Sequence, residues 1–150
     1  MKKVLLLFTL TIIASCSSDD SPKNDDDTAA EKKLQGKWSW VSTTNGFDGT
    51  KITSETEKKT IVLEFSGTSF KKYTNGVLSM DTSFKVETQE VVQGNPPIQI
   101  LVTLGPTRIT DKKSMTVSPT SHEAITINGN KLNLSLLCNK CNSSEYVKIK

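Results

Sequence analysis

From residue 61 onward, every segment that carries a hydrophobic pattern has apolar residues at every second position, a period that belongs to β-strands and not to helices. Ile61, Leu63 and Phe65 alternate with Val62 and Glu64, while Leu78, Met80, Phe84 and Val86 alternate with Ser79, Asp81, Ser83, Lys85 and Glu87. Ile98, Ile100, Val102 and Leu104 form a third face, and Leu132, Leu134 and Leu136 a fourth. Ile125 with Ile127 and Val147 with Ile149 add shorter examples. In each case one side of the strand is dressed for a core and the other for water.

The breaks carry turn chemistry: Ser66-Gly67, Asn75-Gly76, Gly105-Pro106, Asn128-Gly129-Asn130 and a Gly94-Asn95-Pro96-Pro97 run. Asn75-Gly76 is the strongest hairpin signal, because a type I′ turn needs two residues that tolerate positive φ. No window of twelve residues shows helical periodicity, although residues 28–34 could form a single turn. About eight strands at hairpin spacing imply one all-β domain, an antiparallel barrel or sandwich, over residues 34–150.

The first residues obey different rules. Lys2 and Lys3 precede an uncharged run over residues 4–14, roughly half of the 20 or so apolar residues a spanning helix needs, so residues 1–15 read as a signal peptide. Ile13-Ala14-Ser15-Cys16 resembles a lipobox, in which the cysteine is joined to diacylglycerol, carries acyl chains such as palmitate, and becomes the mature N-terminus. Lipidation of Cys16 also accounts for an odd count of 3 cysteines in an exported chain, leaving Cys138 and Cys141 free to pair. At about 0.8 kcal/mol per buried methylene, two or three acyl chains hold a protein on a bilayer without spanning it.

Composition excludes little else. The formal charge of +3 includes Lys2 and Lys3, so the mature chain is nearly neutral and no nucleic-acid partner is expected. Acids crowd into residues 17–33, a stretch with no large apolar side chain, which reads as a flexible tether reaching roughly 20–25 Å. Ser18-Asp19-Asp20 resembles the acidic export signal that sends some lipoproteins to the outer face of the outer membrane; the alternative is a solvated linker and the periplasmic face.

Leu34-Gln35-Gly36-Lys37-Trp38 after the tether, the Asn75-Gly76 hairpin, the Leu132-Asn133-Leu134-Ser135-Leu136 strand and the closing Tyr146-Val147-Lys148 together resemble the lipocalin-like domain of bacterial lipoproteins. The resemblance implies an up-and-down barrel of about eight strands. It also implies that Trp38 plugs the closed end, with Lys148 over its ring in the place where the family usually has arginine.

Trp40, Leu63, Phe65, Phe70, Met80, Phe84, Ile100, Val102, Ile127 and Leu134 are the expected inward residues, and any ligand among them would be apolar. The same residues also describe a filled core. No enzyme is expected: His122 is the only histidine, no nucleophile motif accompanies it, and Glu64 and Asp81 alternate with apolar neighbours and so point to water. Cys138-Asn139-Lys140-Cys141 admits a structural disulfide, a redox pair or half of a zinc site. Its place between strands in an oxidising compartment favours the disulfide, and neither metal nor cofactor is expected. Residues 88–97, and 107–121 with Arg108, Lys112 and Lys113, are long for hairpin loops and are candidate contact segments. Two functions fit: a carrier of a small hydrophobic ligand, or an interaction module that meets an envelope protein or glycan through its loops.

Overall fold

The structure, a computed structural model, describes residues 25–90, 97–104, 121–138 and 140–150. In chain order its elements are α1 (Asp25–Leu34), β1 (Gly36–Thr44), β2 (Lys51–Thr53), α2 (Ser54–Glu57), β3 (Ile61–Ser66), β4 (Ser69–Thr74) and β5 (Val77–Gln89). They continue with β6 (Ile98–Leu104), β7 (His122–Asn128), β8 (Lys131–Leu136) and β9 (Ser143–Lys148). Every neighbouring pair from β3 to β9 is antiparallel, and β1 bonds to both β3 and β9, which closes an eight-stranded barrel. The short β2 adds to the far end of β1 as one extra strand. Cys16 and its signal, Ser18-Asp19-Asp20, and the segments 91–96 and 105–120 with Arg108, Lys112 and Lys113 lie outside the described residues.

Turn chemistry sets the hairpins. Asn75 and Gly76 both take positive φ, 51° and 77°, the pair of left-handed residues that a two-residue turn matched to sheet twist requires. The Asn75 side chain also accepts the Thr60 amide at 2.8 Å, tying this turn to the start of β3.

One end of the barrel is closed by a helix where the sequence suggests a tether. Residues 25–33 are not loose: they form α1, and Asp27, Ala30 and Leu34 are buried. Three aspartates in its first turn and Lys32 and Lys33 in its last complement the helix dipole. Ala30 and Leu34 are four apart and so share a face. Polar contacts dock the rest: Thr88 donates to Asp27 at 2.6 Å, the Val86 amide to Glu31 at 3.1 Å, and Gln99 to the Asp26 carbonyl at 3.2 Å. A stretch without large apolar residues is thus held partly by hydrogen bonds, two of them to carboxylates, a kind of contact to which apolar content gives no clue.

Directly beneath lies Trp38, fully buried, its indole N–H donating to the Leu34 carbonyl at 2.6 Å. Lys148 Nζ stands 5.0 Å from the Trp38 ring centroid and also donates to the Lys33 carbonyl. Above this plug Phe65 stacks at 5.0 Å on Phe70 and edge-on at 5.1 Å on Phe84. Trp40, Leu63, Val86, Leu101, Ile125, Leu132, Leu134 and Tyr146 complete the inner cluster, with Met80 and Ile127 packed on its margin. This half of the barrel is filled by its own side chains.

β6 corrects the expected inner face. Leu101 pairs with Val86 and Thr103 with Phe84, both inward, so Ile100 and Val102, opposite Glu87 and Lys85, fall on the outer side of the sheet. Both are buried there, yet neither belongs to the inner cluster. The strand is apolar on both parities, and periodicity cannot choose a face for such a run. A bulge at Ser79 likewise turns Leu78 away, placing it opposite Tyr73 and not in line with Met80.

Candidate functional site

At the end away from α1 the lumen changes character. β1 ends there at Thr44 and β6 at Leu104, and β7 begins at His122. The register puts Lys72 on the inner face between Leu63 and Met80, and Glu123 on the inner face between Leu101 and Leu136. Thr82 and Thr103 are buried on the same inner wall, and the Thr103 hydroxyl meets that of Ser121 at 2.9 Å. On the β1 and β9 side the Trp40 indole donates to Thr43 at 3.0 Å, and Thr43 meets Ser144 at 2.8 Å. The expectation of an almost wholly apolar lining therefore fails at this end.

Lys72 and Glu123 lie close enough for each to feel the other's charge, and among the described residues neither head group has an ion pair or a hydrogen bond. No buried side-chain nitrogen or oxygen among the described residues lacks a partner, so these two unpartnered heads are reached by solvent. Burial pushes the Glu123 carboxyl above its ordinary value, with Lys72 opposing. Burial likewise pulls the Lys72 ammonium down, Glu123 opposing and Lys59 adding to the effect. The Tyr146 phenol is pushed up to about 12, mainly by burial and further by the charge of Glu123, against a hydrogen bond from Ser144.

These directions make the pair costly to the fold at neutral pH. Folded Glu123 holds its proton more tightly than the unfolded chain does, so stability falls as pH rises from about 4.5 through the folded value. For Lys72 the loss comes as pH falls from about 10.5 toward its lowered folded value. Glu123→Gln is therefore expected to gain stability relative to the parent between pH 4 and pH 7. Urea midpoints at the two pH values check this, and an equal difference at both would refute it.

The other sequence candidates lie elsewhere. Glu64 and Asp81 are on the outer face, Glu64 accepting from Tyr73 at 3.0 Å and lying 3.7 Å from Lys37. His122 is exposed on the outer side, opposite Val102. It lines an open hollow of about 480 Å³ with Glu87, Gln89, Leu136, Leu137 and Cys138. No family model, curated protein or solved structure matches the chain.

Cys138 and Cys141 form a disulfide with Cα atoms 5.4 Å apart, and its turn braces the loop after β1. Gly46 packs so closely there that an added Cβ would collide with the Cys141 carbonyl oxygen and lie 2.5 Å from the Lys140 carbonyl carbon. Both are backbone atoms and cannot rotate away. Gly46→Ala is thus expected to cost about 1–3 kcal/mol, read as a fall in the denaturant midpoint. A midpoint equal to the parent's would show that the loop is not held against the disulfide turn.

Proposed function

We propose that the chain is a lipid-anchored, non-catalytic binding module of the bacterial cell envelope, whose lipocalin-like barrel takes a small organic ligand into the end of the lumen that holds Lys72 and Glu123. The observation that carries this reading is the pair itself. Charged side chains inside proteins are as a rule paired, because an unpaired one costs several kcal/mol, and two left unpaired in one lumen favour a site kept for an outside partner. Met80 beside Lys72 and the exposed Leu136 beside Glu123 supply apolar surface, so the ligand is amphiphilic and not purely hydrophobic.

The anchor belongs to the same reading. Cys16 would carry the acyl chains, and Ser18-Asp19-Asp20 supports delivery to the outer membrane. Metabolic labelling with a palmitate analogue is expected to mark the parent and not Cys16→Ser; equal labelling would exclude Cys16 as the lipid site. Native mass spectrometry of protein taken from envelopes is expected to show a small molecule bound to the parent and absent from a Lys72→Met, Glu123→Gln double variant. Mass spectra of the parent without any adduct would count against the ligand.

A second reading, contact with an envelope protein or glycan through the loops, has one observation in its favour. Phe47 is 77 % exposed at the tip of the loop braced by the disulfide, with Lys140 Nζ 5.1 Å from its ring. A rigidly held, exposed aromatic is what a partner surface uses as an anchor.

A further inference from the structure

At the end away from α1 the described inner wall holds one cation, Lys72, and one anion, Glu123, and each limits what the other will accept. Lys72 and Glu123 face inward from opposite sides of the barrel, on β4 and β7, with no ion pair between them and no hydrogen bond to either head among the described residues. A simple anion drawn to Lys72 would meet the field of Glu123, and a simple cation drawn to Glu123 would meet that of Lys72 and of Lys59, which also acts on this lysine. An apolar ligand would leave both heads without partners while displacing the solvent they now have, at the full desolvation cost of each. A neutral polar ligand could hydrogen-bond both heads but would neutralise neither, whereas a molecule with both signs of charge gives each its stronger, charge-assisted partner.

We infer that the ligand is a zwitterion, one small molecule with an ammonium for Glu123 and a carboxylate or phosphate for Lys72, carried on an apolar body that lies against Met80 and Leu136. This deepens the binding reading above and rests on it. The charges that cost the empty barrel stability are then the source of its selectivity, since a partner-satisfied pair is favoured and a half-satisfied one is not. The residue types suit such a ligand, because a lysine gives a point charge that accommodates either acid, and a glutamate accepts from any ammonium. The same chemistry occurs in a free amino acid and in a phospholipid headgroup.

The test uses two matched sets of probes on the full mature protein, followed by calorimetry and tryptophan fluorescence. The first set is phenylalanine, 3-phenylpropanoate and phenethylamine, which share a body and differ in charge; the second is octylphosphocholine, octyl phosphate and octyltrimethylammonium below their micellar concentrations. The zwitterion of one set is expected to bind at least 10-fold more tightly than its singly charged partners, and which set shows it tells an amino-acid-sized ligand from a lipid headgroup. Glu123→Gln is expected to shift preference at least 10-fold toward the anion, and Lys72→Met toward the cation, whereas Lys72→Arg keeps the parent's order. Circular dichroism confirms that each variant folds. Binding of the anion or the cation as tightly as the zwitterion, or an order unchanged in both charge variants, would overturn the zwitterion and leave the ligand reading standing. If none of the six probes binds, both fall.

Discussion

Trp38→Ala is expected to destabilise the barrel by about 3–5 kcal/mol, the range for emptying a fully buried aromatic site. Three losses coincide at that position. The ring leaves a void beneath α1, the Leu34 carbonyl loses the indole N–H that reaches it at 2.6 Å, and Lys148 loses the face over which it sits. Void and orphaned acceptor both lie where water does not enter, so neither loss is offset by solvation. Thermal unfolding followed by circular dichroism should show a midpoint lower by roughly 10–20 °C. A fall of only a few degrees would mean that Trp38 is not the plug of the closed end.

Leu34→Ala is the second large effect, about 2–5 kcal/mol. Leu34 is wholly buried at the last turn of α1, and its side chain and its carbonyl both face the Trp38 plug. The variant should also be cut more readily by protease within residues 25–33, because α1 would lose its main apolar hold. Combined with Trp38→Ala it should show coupling, the double variant losing less than the two singles together by about 0.5–3 kcal/mol, since both remove parts of one contact. Stability equal to the parent would return residues 25–33 to the tether suggested by their composition.

Sheet and barrel are legible in the sequence because one face of most strands is apolar and the other polar. Ile61-Val62-Leu63-Glu64-Phe65 and Leu132-Asn133-Leu134-Ser135 declare their inner faces without help. Ile98 to Leu104 does not, because both faces of that run are apolar, and the register with Val86 and Phe84 decides for Leu101. α1 escapes for a different reason: its hold on the barrel is half polar, through Asp27, Glu31 and Asp26, and hydrophobic patterning is blind to such contacts.

The candidate site is hidden in a similar way. Lys72 has the parity of Phe70, and Glu123 has that of Ile125 and Ile127, so a strict reading of alternation already turns both inward. Reading charge as a mark of the outer face overrides that parity. The useful signal is a charged residue in phase with an apolar face, as Lys72 and Glu123 are here and as Lys148 is with Tyr146 at the plugged end. Thr82, in phase with Phe84, is the neutral counterpart.

α1 also has a geographical meaning. It begins at Asp25, and its first residues are fastened to Thr88 and Gln99 at the plugged end of the barrel. From Cys16 to Asp25 there are nine chain steps, which even at full stretch cover no more than about 30 Å. A lipid on Cys16 would therefore keep the plugged end nearest the bilayer and turn the end with Lys72 and Glu123 outward. A ligand of the kind proposed above would then reach the pair from the aqueous side, by diffusion or handed over by another protein, and not up from the lipid leaflet below.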